Sequence, residues 1–133
     1  MAITFVVHGE PVPQPRPRVS TRGGFARAYV PAKHPVHKYR AAIADAARAA
    51  GAGVHGEPVS VVIDFVSQRP KSHMRKSGVK PDAPALPRFD IDNATKAVLD
   101  SLNGVAWEDD SQVARVVVEK SYGQEARTTV RIS

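Results

Sequence analysis

Acidic side chains recur at short intervals between residues 88 and 113 of a chain that is otherwise basic. Asp90 and Asp92 stand two residues apart, so both carboxylates point to the same side of an extended segment. Lys96 follows Asp92 by four residues and shares its face once a helix begins. A second acidic group, residues 108–110, sits at a turn before a β-rich segment, where its carboxylates could face the first pair. The spacing predicts a carboxylate cluster with a lysine beside it.

Carboxylates and a lysine in this arrangement are the groups that metal-assisted hydrolysis of a phosphodiester needs. Mg²⁺ prefers oxygen ligands, keeps several of its waters, and usually takes a few carboxylates together with substrate phosphate. The metal makes a water nucleophilic and offsets the charge on the phosphoryl oxygens. A nearby lysine stabilises the same developing charge. The pattern therefore indicates a nuclease-like site.

Each of these residues also has an ordinary structural explanation. Asp90 or Asp92 could cap the N-terminus of a helix, and Asp92 with Lys96 could form an exposed ion pair of small energetic value. The acidic turn at residues 108–110 could simply be solvated. Structural roles alone give no reason to place three carboxylates beside a strongly basic segment, so the joint pattern favours the metal site.

The charge of the 133-residue chain is divided unequally along its length. Lys and Arg number 19 against 13 Asp and Glu, for a net charge of +6. Residues 1–88 carry a net charge of +9 and residues 89–133 a net charge of −3. The basic part indicates a polyanionic partner such as nucleic acid. Basic side chains expected to contact DNA backbone are Arg16, Arg18, Lys71, Arg75, Lys76, Lys80 and Arg88.

Several classes of function are disfavoured by what the sequence lacks. It has no cysteine, which excludes disulfides, thiolate metal sites and thiol nucleophiles. It has neither a P-loop nor a G-x-G-x-x-G motif, so a nucleotide cofactor is not expected. No stretch approaches the ~20 apolar residues of a membrane span, and the first residues make a poor signal peptide. We therefore expect a cytoplasmic protein with no membrane partner.

The periodicity predicts one α+β domain over residues 1–133, a mixed β-sheet with two main helices packed on it. The helices are expected at residues 36–50 and 92–103, the second with Ile91, Thr95, Val98, Leu99 and Leu102 inward and Lys96 and Asp100 facing away. Strands are predicted at residues 3–8, 59–68, 113–121 and 128–132, the last two as a terminal hairpin. Residues 16–27 read as a basic hairpin arm after an extended proline-rich segment, and residues 69–88 as a basic, proline-rich loop without regular structure.

The ordered motifs resemble the RusA family of Holliday junction resolvases. The similarity rests on Asp90-Ile91-Asp92-Asn93, Lys96, Asp100-Ser101-Leu102 and Asp109-Asp110-Ser111-Gln112-Val113. Residues 9–18, which end in Arg16-Pro17-Arg18, resemble the family's opening loop. The resemblance implies a homodimeric, Mg²⁺-dependent endonuclease, with Mn²⁺ as a substitute metal, that cuts four-way DNA junctions by paired symmetric nicks. It assigns Asp90, Asp92 and Asp110 as catalytic metal ligands and Lys96 as the catalytic lysine. Family members are often encoded by phages and prophages.

Two other functions stay open at this point. One is a metal-dependent nuclease with the same chemistry that acts on another branched or flap DNA. The other is a DNA-binding protein without catalysis, whose carboxylates only cap and solvate. Cleavage of a synthetic four-way junction, compared with flap and linear duplex DNA, would separate the three.

Overall fold

The computed structural model describes residues 2–133. Its strands contain alternating apolar residues, and its helices have apolar residues that recur with a period of 3.6. The two helices are α1 (Pro35–Ala49) and α2 (Ile91–Leu102), each within one residue of its expected bounds. The strands are β1 (Ile3–His8), β2 (Arg18–Ser20), β3 (Arg27–Tyr29), β4 (Val59–Gln68), β5 (Met74–Arg75), β6 (Gly78–Val79), β7 (Val113–Gly123) and β8 (Arg127–Ile132).

Four of the strands form one mixed sheet in the order β1-β8-β4-β7. β8 runs antiparallel to both β1 and β4, whereas β7 runs parallel to β4 and forms an edge. The mixed α+β sheet is as predicted, but the predicted terminal hairpin is wrong, because β4 lies between β7 and β8. The chain leaves β7 at Gly123, passes the end of β4, where the Arg69 N–H donates to the Gly123 carbonyl at 3.1 Å, and returns as β8.

Both helices pack on the same side of the sheet and enclose one hydrophobic core. α1 contacts β1 and α2 contacts β7, while the two helices also contact each other. The largest fully buried side chains include Trp107, Phe65 and Ile43. Trp107 is fully buried, and its indole N–H donates to the Asn103 side-chain oxygen at 2.7 Å. The domain therefore has two layers, one of helices and one of sheet, and α2 lies beside the edge strand β7.

The buried face of α2 is rotated relative to the one expected. Its buried residues are Ala94, Ala97, Val98, Ser101 and Leu102. Ile91 is 37% exposed, and Thr95 and Leu99 are only half-buried. Small residues let the helix approach the core closely, so the larger apolar side chains turn toward β7.

Residues 69–88 contain more regular structure than the sequence indicated. A 3-10 turn at Lys71–His73 leads into the short β5–β6 hairpin, so the expectation of an irregular loop is wrong for this part. The Arg69 guanidinium donates to the Pro84 carbonyl at 2.9 Å and lies 4.3 Å from the Tyr122 ring centroid. Arg69 therefore joins the start of the segment to β7 and holds the later part of the segment, at Pro84, against that start.

The predicted hairpin arm is present as β2 paired with β3. No helix within residues 2–133 has the length and apolar content to cross a membrane.

Candidate active site beside helix α2

Helix α2 begins shortly after residues 69–88. Its N-cap and its first turn carry two of the predicted carboxylates, Asp90 and Asp92. Asp90 occupies the N-cap position with extended backbone but makes no side-chain hydrogen bond to a helix N–H. Its Oδ2 instead accepts from the Asn93 side-chain amide at 3.1 Å. Asp92 Oδ1 accepts from the Asn93 backbone N–H at 3.0 Å. The Asp90 side chain therefore lacks the hydrogen bond to a helix N–H that an ordinary N-cap side chain makes.

An open cavity of about 490 Å³ lies between α2 and β7. Asp92, Lys96 and Asp100 line it from successive turns of the helix, because residues four apart share a face. Asp110 lines it from the turn that precedes β7. The remaining wall is mainly apolar and consists of Ile91, Leu99, Val116 and Val118, together with Thr95. The rotation of α2 thus supplies both the polar groups and the apolar wall of one cavity.

The turn before β7 separates the roles of two neighbouring carboxylates. Asp109 caps the 3-10 helix Asp110–Gln112, and its side chain accepts from the Ser111 N–H at 3.1 Å. The hydrogen bonds from Ser111 lower the pKa of the Asp109 carboxyl, so it is ionised and capping at neutral pH. Asp110, one residue later, is exposed and lines the cavity. The structure brings Asp110 to the helix and gives Asp109 a local structural task.

Gln112 fixes the position of this turn. Its Oε1 accepts from the Glu108 N–H at 2.8 Å and from the Asp109 N–H at 3.2 Å. Its Nε2 donates to the carbonyls of His55 and Glu57 at 2.6 and 3.1 Å. Because one side chain joins the acidic turn to the loop before β4, Asp110 is carried by a braced backbone.

The start of α2 is braced by β7. Lys120 Nζ donates to the Phe89 carbonyl at 2.7 Å and lies 5.3 Å from the Phe89 ring centroid. The Phe89 ring packs edge-on against Phe65, with centroids 5.8 Å apart. The residue directly before Asp90 is therefore held by a buried aromatic ring and by a lysine.

The extended proline-rich segment that precedes the arm contacts the same helix. The Gln14 N–H donates to the Asn93 carbonyl at 2.9 Å. Arg16 and Arg18 follow within four residues, and both side chains are exposed. The chain thus attaches a basic segment directly to the first turn of the carboxylate-bearing helix.

The structure brings together three of the four predicted catalytic residues, namely Asp92, Lys96 and Asp110. Asp90 does not line the cavity and stays a prediction as a metal ligand. Asp100 also lines the cavity, although the periodicity predicts that it faces away from the apolar side of the helix and the motif resemblance assigns it no catalytic role. Its four-residue spacing from Lys96 was the signal that could have identified it. All seven predicted DNA-contacting side chains are exposed, on the arm and on residues 69–88.

The profile of the family described as endodeoxyribonuclease RusA matches residues 8–133. The chain belongs to the RusA family. The match spans the arm, α2 and the acidic turn, so it includes every residue assigned above.

A relative in Bacillus subtilis (strain 168), named uncharacterized protein YqaN, is 36% identical over 135 residues. The alignment covers 98% of this chain and 94% of that protein. The similarity to this relative therefore extends over nearly the whole chain rather than over a short motif.

Proposed function

We propose that this RusA-family chain is a Mg²⁺-dependent endonuclease that resolves four-way DNA junctions by paired symmetric hydrolysis. The observation that carries the proposal is the cavity in which Lys96 lies among the carboxylates of Asp92, Asp100 and Asp110. Exposed basic side chains also occur on the arm and on residues 69–88, the first of which follows the Gln14–Asn93 contact and the second of which leads into α2. A DNA-repair or recombination enzyme of this kind acts in the cytoplasm of a bacterium or on the DNA of its phage.

The donor chemistry of the cavity fits Mg²⁺ or Mn²⁺. Asp92 and Asp110 supply exposed carboxylate oxygens and Asp100 a half-buried one, and we include Asp90 as a further ligand from the RusA motif. Within residues 2–133, no three His, Cys, Asp or Glu side chains form a group arranged to hold a metal by themselves. Mg²⁺ commonly needs only one or two carboxylates because substrate phosphate completes its shell. A bound metal would supply an activated water and a counter-charge for the phosphoryl oxygens.

Lys96 and the carboxylates have different roles, since the lysine contacts the phosphate and the carboxylates hold the metal. Lys96 carries an exposed ammonium on the face of α2 that lines the cavity, where it stabilises negative charge on the phosphoryl group being hydrolysed. Carboxylates alone would repel the DNA backbone. The surrounding excess of Lys and Arg offsets this repulsion, which is why a basic protein can place an acidic cavity at a phosphate.

Two symmetric nicks require two cavities, so we propose a homodimer. Each protomer would contribute one cavity and hold DNA backbone with Arg16, Arg18, Arg88 and residues 71–80. Two copies related by a two-fold axis match a junction whose strands are cut in symmetric pairs.

Cleavage of synthetic substrates tests the proposal. Labelled four-way junction, flap and linear duplex DNA of shared sequence are incubated with the protein in Mg²⁺, in Mn²⁺ and in EDTA, with the Asp92→Asn protein as the inactive control. We expect paired nicks in the junction, dependent on metal and absent from Asp92→Asn. Preferred cutting of flaps would indicate the alternative nuclease. Tight junction binding without cutting under any metal would indicate a non-catalytic DNA-binding protein.

A further inference from the structure

In the structure the arm extends to the end of β3 and comprises residues 16–29. Every residue from 16 to 29 is exposed except Ser20, which is half-buried. The arm consists of β2 and β3, whose register pairs Arg18 with Tyr29 and Ser20 with Arg27. An isolated two-stranded hairpin is at best marginally stable in water. Such an extension gains stability when a partner covers it.

The tip of the arm presents an aromatic ring to solvent. Gly23 and Gly24 have φ angles of 79° and 80°, a conformation that favours glycine, and they turn the chain sharply. Phe25 follows directly and is 71% exposed. Val19, on β2, is 69% exposed. Apolar side chains of this size serve no purpose in holding phosphate, so the basic charge of the arm does not explain them.

The nearest charged residues that precede and follow this ring in the sequence are all basic. Residues 11–44 contain seven Lys and Arg and no Asp or Glu. Four of these side chains belong to the arm, and they are Arg16, Arg18, Arg22 and Arg27. The combination of a phosphate-binding charge with an exposed aromatic side chain is typical of surfaces on which unpaired or unstacked bases rest.

We propose that Phe25 is a wedge that stacks on DNA bases at the branch point while the arginines of the arm hold the flanking phosphates. The inference rests on the proposed function and deepens it. Base faces inside continuous duplex are covered by their neighbours, and they become accessible where stacking is interrupted, as at a junction. Proteins insert phenylalanine between base steps in this way and recover the cost through additional contacts. The segment directly before the arm is also joined to the helix that lines the cavity, because the Gln14 N–H donates to the Asn93 carbonyl of α2.

A second copy of the chain is the competing occupant of the arm, and charge disfavours it. Two arms that approached one another across a two-fold axis would bring together eight arginines, four from each copy, with no acidic residue in either arm. DNA supplies the opposite charge along its entire length. Charge complementarity therefore favours DNA.

Fluorescence of 2-aminopurine placed at the branch point tests the wedge without requiring cleavage. Four-way and three-way junctions, a flap and a bulged duplex carry the probe at the discontinuity and are titrated with protein in EDTA. We expect wild-type protein to raise the emission as stacking between bases is lost. Phe25→Ala should lose most of this rise and bind branched DNA about tenfold more weakly, while linear duplex binding is unchanged.

Three controls make the result specific. Phe25→Trp should retain the emission rise because it keeps an aromatic face, and Val54→Ala, which truncates an exposed apolar side chain outside the arm, should behave as wild type. The salt dependence of Phe25→Ala should equal that of wild type, since no charge is removed.

Equal emission and affinity for wild type and Phe25→Ala on every branched substrate would overturn the wedge, whatever the substrate preference of the enzyme. Conversion of a dimer to a monomer by Phe25→Ala in sedimentation without DNA would assign the arm to the subunit interface and would also overturn it. Failure of the proposed function would be seen separately, as wild-type protein that does not cut four-way junctions.

Discussion

Asp109 and Asp110 are adjacent carboxylates whose surroundings give them different tasks. Asp109 is committed to the Ser111 N–H, which lowers its pKa and orders the turn. Asp110 makes none of these capping bonds and is the member of the pair that lines the cavity. Removing the charge from each in turn therefore separates the local structural role from the proposed catalytic one.

Asp110→Asn should abolish junction cleavage while leaving junction binding unchanged or tighter. The substitution removes a proposed metal ligand and also a negative charge near phosphate. Asp109→Asn is the matched control, since it neutralises the neighbouring carboxylate and keeps an oxygen that can accept from Ser111. Cleavage is followed at saturating protein and binding by gel shift in EDTA. Loss of cleavage in Asp109→Asn with normal turnover in Asp110→Asn would reverse the two assignments.

Lys120 is a residue whose effect on the site is indirect. Its ammonium contacts the Phe89 carbonyl rather than the cavity, and so it positions the start of α2. Lys120→Met keeps much of the apolar stem and loses the hydrogen bond. We expect the cleavage rate at saturating junction to fall about 10- to 100-fold, because small displacements of catalytic groups are costly, while the dissociation constant changes little.

Lys120→Arg distinguishes positioning from general destabilisation. Arginine can still donate to the Phe89 carbonyl, so part of the lost rate should return. If the rate of Lys120→Met recovers fully on cooling below its melting transition, Lys120 contributes to stability only.

At the scale of elements, the path from β7 to β8 depends on a glycine. A Cβ on Gly123 would lie 2.6 Å from Cγ1 of Val66, which is closer than real Cβ contacts. Val66 is only 3% exposed and β-branched, so it has little freedom to move away. A glycine at this position lets β7 end against β4 before the chain crosses to the other side of β4.

Gly123→Ala should lower the free energy of unfolding by about 1–3 kcal/mol, the usual cost of overpacking a filled site. Gly53→Ala is the control, because a Cβ there would meet no atom within 4 Å and no positive φ is required. Urea denaturation of the three proteins measures the difference. A Gly123→Ala protein as stable as wild type would mean that Val66 can repack.

The sequence predicted the local elements well and their long-range partners less well. Alternation and periodicity located α1, α2 and the four sheet strands because these patterns report on each segment's own buried face. The pairing of β7 with β4 could not be read from the sequence. A short connection normally joins neighbouring strands, so the sequence favours pairing of β7 with β8. The position of β4 between them depends on packing between segments that are far apart in the chain.

The error in the inward face of α2 has the same origin. Helical periodicity placed Ile91, Thr95 and Leu99 inward, whereas the close approach of the helix to the core selects Ala94 and Ala97. That rotation is what brings Asp100 into the cavity, and it depends on the shape of the surrounding core rather than on the helix itself.

The whole molecule combines a net charge of +6 with an acidic cavity. The basic side chains occupy two exposed regions, the arm and residues 69–88, and both are connected to the first turn of α2 through Gln14 and Phe89. A protein organised in this way would hold DNA by many phosphate contacts and direct one phosphate to the carboxylates. Binding should therefore depend steeply on ionic strength.

Replacing Arg16 and Arg18 together by alanine should weaken binding to every DNA shape and reduce the slope of log affinity against log salt by about one to two units. Each phosphate contact releases counterions and contributes about 0.9 to that slope on duplex DNA. The control removes the same charge from exposed arginines outside the arm, by Arg48→Ala with Arg131→Ala. Affinity is measured by fluorescence anisotropy in EDTA between about 50 and 200 mM salt, the range over which counterion release changes affinity strongly. If the double variant of the arm and the control both show the salt slope of wild type, the arm lies away from DNA. If both variants reduce the salt slope equally, binding depends on total charge rather than on the arm. A reduction confined to Arg16 and Arg18 would place the arm on the DNA backbone, beside the first turn of α2 to which Gln14 joins it.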